Sequence, residues 1–113
     1  MTDDFVRVCA VGDVPAGEAT AVELNGEPVA IVRTEGDEFF AIRDVCSHAE
    51  VPLSEGDVEG CTIECWLHGS QFDLRTGKPT GLPATEAVPT YPTRVSDGDV
   101  YVAMKTATQE SVK

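Results

Sequence analysis

Basic side chains are scarce in this sequence. Its 113 residues hold 8 Lys and Arg against 20 Asp and Glu, which gives a formal net charge of −12 at pH 7. Nucleic-acid binding needs a basic face, so we do not expect nucleic acid as a partner. The same charge disfavours contact with an anionic membrane surface. The acidity fits either simple solubility or attraction to a partner that carries a basic patch.

Long apolar runs are also missing. No segment approaches the roughly 20 residues that a membrane-spanning helix needs. The acidic start at residues 1–4 has neither the basic region nor the apolar stretch of a secretory signal. We therefore expect a single-domain cytoplasmic protein. Because stable disulfides are rare in that compartment, its four cysteines are expected to be metal ligands or free thiols.

Helix signals are few, and strand and turn signals are many. Four prolines between residues 79 and 92 exclude a regular helix there and favour an extended path. Residues 44–60 show no clear period and are predicted to form a long functional loop. Several short strands separated by turns predict an all-β fold. The predicted strands are residues 5–8, 19–25, 28–34, 38–43, 62–66, 71–74, 93–96 and 99–104, with turns at Asn25-Gly26, Gly36-Asp37, residues 75–78 and Asp97-Gly98.

Two apolar features inside these strands predict how they pack. The run Val29–Val32 is apolar at every position, which indicates burial on both faces. Phe39 and Phe40 are adjacent, so in a strand they point to opposite faces. One is expected in the main core, and the other beneath the loops that carry the cysteine–histidine pairs described below.

Histidine occurs only twice, and each time beside a cysteine. The two pairs are Cys46-Ser-His48 and Cys65-Trp-Leu-His68, with sixteen residues between them. Together they supply two soft thiolates and two imidazoles. This donor set suits either a tetrahedral zinc ion or an iron–sulfur cluster.

The order of the donors favours the cluster. Zinc sites of this composition usually place two cysteines first and two histidines later, whereas here each cysteine is followed by its own histidine. A zinc-stabilised interaction module stays as the alternative. The remaining cysteines, Cys9 and Cys61, lie outside both pairs and are interpreted as small buried apolar residues.

The pattern resembles the Rieske ferredoxin family over most of the chain. The residues that carry the resemblance are Cys46-x-His48, Cys65-x-x-His68-Gly69-Ser70, Phe72-Asp73, Thr76-Gly77 and Gly81-Leu82-Pro83. It implies an antiparallel β-sandwich base with a small β subdomain that binds the cluster. The base would comprise residues 1–42 and 85–106, the cluster-binding subdomain residues 43–84, and a frayed tail residues 107–113.

The resemblance also implies one [2Fe–2S] cluster per chain. Cys46 and Cys65 would bind one iron, and His48 and His68 the other. Replacing two cysteines by histidines raises the potential of such a centre to between about −150 and +300 mV.

Further residues would tune this potential. The resemblance places the Ser70 hydroxyl on a bridging sulfide. It places Phe72 where high-potential members carry a Tyr hydroxyl, and Val51 and Leu67 where they carry a disulfide. Since Phe, Val and Leu supply neither, we expect a low-to-middle potential.

Two more residues would flank the cluster. Trp66, with its neighbour Leu67, is expected to screen the cluster from water. Pro83 resembles the family's proline loop, which would close a third side of the site.

By resemblance, the chain is an electron carrier. It would take one electron from a flavin reductase and pass it to a terminal non-haem iron oxygenase, and carriers of this size suggest a monomer. It should not be the oxygenase, because no histidine is left for a mononuclear iron site. Nor does it carry a Gly-rich dinucleotide fingerprint. The small subunit of a nitrite reductase, which resembles the same family, stays as the alternative setting.

Overall fold

The computed structural model describes residues 5–24, 26–45, 51–66, 69–80 and 87–103. Apart from two short 3₁₀ helices, Val11–Asp13 and Leu53–Glu55, the elements in these ranges are strands. They are β1 Phe5–Ala10, β2 Glu18–Leu24, β3 Glu27–Arg33, β4 Phe39–Arg43, β5 Asp57–Glu59, β6 Thr62–Glu64, β7 Gln71–Asp73, β8 Thr90–Tyr91, β9 Thr93–Ser96 and β10 Asp99–Ala103. The predicted all-β class is confirmed. No helix in the described ranges is long and apolar enough to cross a membrane.

The strands form three antiparallel sheets. Their orders are β1-β10-β9, β2-β3-β4-β8 and β5-β6-β7. The first two sheets pack on each other through what we call the base core: Cys9, Val14, Val29, Ile31, Ala41, Tyr91, Val100 and Val102. The third sheet lies wholly within residues 57–73. The predicted subdomain boundaries at residues 43 and 84 stay a prediction.

A second core joins the small sheet to the four-stranded sheet. We call it the junction core: Ala30, Val32, Ile42, Leu53, Ile63, Cys65, Phe72, Leu74 and Val88. The apolar run of β3 contributes to both cores, because alternate residues of a strand point to opposite faces. Val29 and Ile31 enter the base core, whereas Ala30 and Val32 enter the junction core. All four side chains are fully buried, which confirms the prediction for this run.

The adjacent phenylalanines of β4 divide in the same way. Phe39 packs against the base core, and Phe40 packs against the junction core. The predicted opposite orientation is therefore confirmed. The four-stranded sheet packs against the sheet β1-β10-β9 on one face and against the small sheet on the other, so its position fixes the position of the site.

The hairpin turns lie where the sequence predicts them. Asp97 and Gly98 have φ values of 55° and 82° and connect β9 to β10, the left-handed pair that a two-residue hairpin turn requires. Leu24 pairs with Glu27 across the turn from β2 to β3. Asn25 of that turn lies outside the described residues.

The predicted loop over residues 44–60 is wrong in part. The structure places the 3₁₀ helix Leu53–Glu55 and strand β5 within it. A strand of three residues is too short to show a period in the sequence. Strand β5 is held by backbone pairing with β6, and the sequence pattern does not reveal such pairing. Residues 1–4, 81–86 and the tail from 104 onward lie outside the described residues, and these include the middle of the predicted extended path over 79–92.

Gly77 connects the small sheet to the segment that leads into β8. Its φ is +77°, its N–H donates to the Asp73 carbonyl (2.7 Å), and its carbonyl accepts from the Val88 N–H (2.8 Å). A Cβ at this position would collide with the Val88 carbonyl oxygen. Gly98 has a similar φ of +82°, but nothing lies within 4 Å of its Cβ position. A comparison of the two positions therefore separates the cost of the left-handed backbone from the cost of the steric collision.

We predict that Gly77→Ala destabilises the fold more than Gly98→Ala. The left-handed backbone alone should cost about 1–2 kcal/mol in each variant. The collision with Val88 should add about 1–3 kcal/mol for Gly77→Ala alone. Urea unfolding of both holo variants measures the difference, and equal costs would show that the Val88 backbone shifts freely.

Candidate metal centre

The second predicted ligand segment begins at the end of β6 and ends at the start of β7. Cys65 follows β6 directly, and Ser70 precedes β7. The Cys65 N–H donates to the Ser70 carbonyl (2.6 Å), and the Gly69 N–H donates to the Cys65 carbonyl (2.8 Å). Gly69 has φ +80°, which lets the chain turn back without steric cost. The loop therefore holds its cysteine by backbone bonds on both sides.

The Cys65 side chain is fully buried within the junction core. Its apolar neighbours include Ile63 of β6 and Phe72 of β7. As a free cysteine at a buried loop tip, Cys65 fits the soft-donor role that an iron–sulfur cluster requires.

The other three predicted ligands lie outside the described residues. These are Cys46, His48 and His68. Within the described ranges, no group of three or more His, Cys, Asp or Glu side chains could hold a metal ion. The four-ligand set therefore stays a prediction, of which the structure describes one member and the segments that flank the rest.

The two ends of the first ligand loop are joined by a buried carboxylate. Asp44 is 5% exposed and lies two residues before Cys46. The Ser54 N–H donates to Asp44 Oδ1 (2.6 Å), and the Ser54 hydroxyl donates to Asp44 Oδ2 (2.8 Å). Sequence reasoning missed both residues. The Pro-Leu-Ser-Glu-Gly order at residues 52–56 could have indicated a short turn, but no pattern links two positions ten residues apart.

The same turn also contacts the strand that leads to Cys65. Leu53 is fully buried in the junction core, and the Gly56 N–H donates to the Leu53 carbonyl (2.9 Å). A Cβ at Gly56 would collide with the Glu64 carbonyl oxygen, so only glycine fits this contact. The turn thus contacts Asp44, two residues before Cys46, and Glu64, the residue directly before Cys65.

The predicted flanking residues divide by exposure. Ser70 is fully buried, and so is Phe72. Trp66 is 49% exposed, so half of its surface faces solvent beside Cys65. Pro83 lies outside the described residues. The sulfide-binding role of Ser70 and the screening role of Trp66 stay predictions.

The two cysteines outside the ligand pattern behave differently. Cys9 is buried in the base core, as predicted. Burial, with the nearby Asp13 carboxylate, raises the pKa of its thiol, which therefore stays protonated at neutral pH. The prediction is wrong for Cys61, which is partly exposed, because it lies in the β5–β6 turn and its thiol lies 3.7 Å from Glu38 Oε1.

An acidic groove runs beside the small sheet. It lies between the start of β2, the turn from β3 to β4, and strand β5. The carboxylates that line it are Glu18, Glu35, Asp57, Glu59 and Glu64. Part of the large negative charge is therefore concentrated on one face.

Known proteins of similar sequence and structure agree on one family. The family model for the Rieske [2Fe-2S] domain matches residues 4–92. The 3-phenylpropionate/cinnamic acid dioxygenase ferredoxin subunit of Escherichia coli (strain K12) is 43% identical over 103 residues, which cover 90% of this chain and 95% of that protein.

Two solved structures show the same likeness. The ferredoxin of carbazole 1,9a-dioxygenase from Nocardioides aromaticivorans IC177 superposes with a TM-score of 0.84 at 38% identity, covering 91% of this chain and all of that one. A chain in the complex of reduced oxygenase and oxidized ferredoxin of carbazole 1,9a-dioxygenase gives a TM-score of 0.83 at 36% identity, covering 93% of this chain and 97% of that one.

The buried Cys65 thiol, the backbone-held loop around it and the family match point to the same cofactor. A Rieske domain carries one [2Fe–2S] cluster, which is the group that the donor order predicts. With the match spanning most of the sequence, this chain belongs to the Rieske [2Fe-2S] domain family.

Proposed function

We propose that this protein is the ferredoxin component of an aromatic-ring dioxygenase system. It takes one electron from a flavin-dependent reductase and delivers it to a terminal non-haem iron oxygenase. The observation that carries the proposal is the 43% identity to a dioxygenase ferredoxin subunit across 95% of that protein. When bound, a [2Fe–2S] cluster supplies a one-electron redox centre.

The four donors have distinct roles in this proposal. Cys46 and Cys65 would hold one iron through charged thiolates, and His48 and His68 would hold the other through neutral imidazoles. Because imidazole donates less negative charge than thiolate, the histidine pair would favour uptake of the electron on its side of the cluster. Cys65 supports this assignment by its burial in the junction core, away from water.

The chain is a carrier and not the oxygenase. Its two histidines are both assigned to the cluster, so none is left for a mononuclear iron site. Dioxygenase ferredoxin subunits of nearly the same length are similar over their whole chain, which supports the same division of labour here.

Partner recognition follows from charge and location. A net charge of −12, with five carboxylates along one groove, favours partners that present a basic patch. A monomeric state and a cytoplasmic location complete the proposal. The nitrite reductase setting has less support, since the relatives above 30% identity described above belong to dioxygenase systems.

The proposal is tested by cofactor content followed by electron transfer. Anaerobically reconstituted protein should contain two irons and two acid-labile sulfides per chain and show a paramagnetic resonance signal after reduction with dithionite. One zinc without sulfide would support the interaction module instead. Loaded protein that a flavin reductase reduces, but that no ring-hydroxylating oxygenase reoxidises, would contradict the function while leaving the cofactor intact.

We predict that His68→Cys lowers the midpoint potential. A thiolate brings one more negative charge to the iron that accepts the electron, which disfavours the reduced state. Potentiometric titration followed by paramagnetic resonance measures the shift. Cys61→Ser is the matched control, since this partly exposed cysteine lies outside the ligand pattern and should leave the potential unchanged. An unaltered potential in a loaded His68→Cys variant would contradict the assignment of His68.

The exposed half of Trp66 gives a prediction about partner binding. Large aromatic side chains dominate many interfaces, and Trp66 presents one beside a ligand. We expect Trp66→Ala to raise the apparent KM for this protein in oxygenase turnover about fivefold or more, and Trp66→Phe to raise it less. If Trp66→Ala instead shifts the midpoint potential at unchanged KM, the residue screens the cluster from water and does not bind the partner.

A further inference from the structure

We infer that Asp44 is a positioning residue for the cluster. Through two bonds to Ser54 it closes the first ligand loop, and its charge lowers the midpoint potential. We call this pair, Asp44 and Ser54, the clasp. The inference rests on the proposed assignment of Cys46 and His48 as ligands.

The clasp joins the ends of the segment that carries two ligands. Asp44 lies two residues before Cys46 and four before His48, and Ser54 follows them in the first turn of structure after the loop. Both carboxylate oxygens are used: Oδ1 accepts the Ser54 N–H at 2.6 Å, and Oδ2 accepts the Ser54 hydroxyl at 2.8 Å. In general, tying the two ends of a segment together lowers the conformational entropy that the segment gains when a bound metal is released.

The clasp is itself anchored on two sides. The Asp44 N–H donates to the Pro28 carbonyl of β3 (3.0 Å), which ties the start of the loop to the four-stranded sheet. On the other side, Leu53 lies fully buried in the junction core, directly before Ser54. The clasp is therefore attached to the four-stranded sheet at Asp44 and to the junction core beside Ser54.

The clasp also connects the two ligand loops. Gly56 follows the turn that contains Ser54 and packs directly on the Glu64 carbonyl. Glu64 is the residue before Cys65. A displacement of the turn would thus reach both ligand loops, because the contact at Gly56 leaves no space for independent movement.

The same carboxylate places a negative charge where solvent screens it poorly. Asp44 is 5% exposed, and its two oxygens accept from the two Ser54 donors, the arrangement that a buried carboxylate needs. Charges in buried positions are screened much less than those at the surface. Since reduction adds one negative charge to the site, the Asp44 charge opposes it and lowers the potential.

Three variants separate geometry from charge. Asp44→Asn keeps an acceptor for the Ser54 N–H and a partner for its hydroxyl but removes the charge. Ser54→Ala keeps the Asp44 charge and removes one of the two hydrogen bonds. Asp44→Ala removes the charge and both hydrogen bonds. Asp97→Asn is the charge control, because Asp97 is exposed in the β9–β10 turn at φ 55°, a conformation that asparagine tolerates.

The measurements are the midpoint potential, the rate of cluster loss to an excess of chelator, and hydrogen exchange of residues 51–56. Asp44→Asn should raise the potential and lose the cluster within about twofold of the wild-type rate. Asp97→Asn should change neither. Asp44→Ala should lose the cluster about tenfold faster, as expected when a charged hydrogen-bonded pair is broken, and Ser54→Ala a few-fold faster at nearly wild-type potential. Exchange of residues 51–56 should rise in both alanine variants.

Each part can be overturned separately. If Ser54→Ala and Asp44→Ala retain the cluster and exchange hydrogen as the wild type does, the positioning role of the clasp is wrong. If Asp44→Asn has the wild-type midpoint potential, the electrostatic role of Asp44 is wrong. If Asp44→Ala does not fold, Ser54→Ala and Asp44→Asn still decide both points. A wild-type protein that binds no cluster would instead overturn the proposed function, so the two failures are distinguishable.

Discussion

The burial of one thiol in a shared core constrains the rest of this protein. Cys65 belongs to the same junction core that joins the four-stranded sheet to the small sheet. With Cys65 as a ligand, as proposed, the packing of the fold and the binding of metal are linked. The small sheet is formed by three strands of three residues each, too little to be stable by itself. Its stability must come from the junction core and, in the proposed assignment, from the metal that its loop would help to hold.

The position of β3 between the two cores explains why this strand is apolar at every central position. A strand with one face in water would alternate, but β3 separates two cores and cannot. Val29 and Ile31 stabilise the base, while Ala30 and Val32 form the wall on which the site rests. The base therefore acts as the support on which the predicted ligand loops are placed.

Sequence patterns predicted the features that arise from local chemistry. The hairpin turn at Asp97 and Gly98 and the two-faced burial of β3 each depend on neighbouring residues. The patterns failed where a distant contact decides the structure. Strand β5 exists because β6 lies beside it, and Cys61 is partly exposed because it falls in the turn between them. Asp44 and Ser54 could not be paired for the same reason, since their bonds span a loop without a period.

The clasp also bears on how such a site can be held without covalent help. The positions where high-potential relatives would join the two loops by a disulfide are Val51 and Leu67 here, and neither can form one. A turn fixed by Leu53 in the core, by Asp44 at one loop and by the Gly56 contact at the other supplies the connection by packing and hydrogen bonds instead. A disulfide would brace the loops without adding charge, whereas a carboxylate brace adds a negative charge beside the site. In this proposal the choice of brace affects both the stability of the site and its potential, and the charged brace favours the low-to-middle potential.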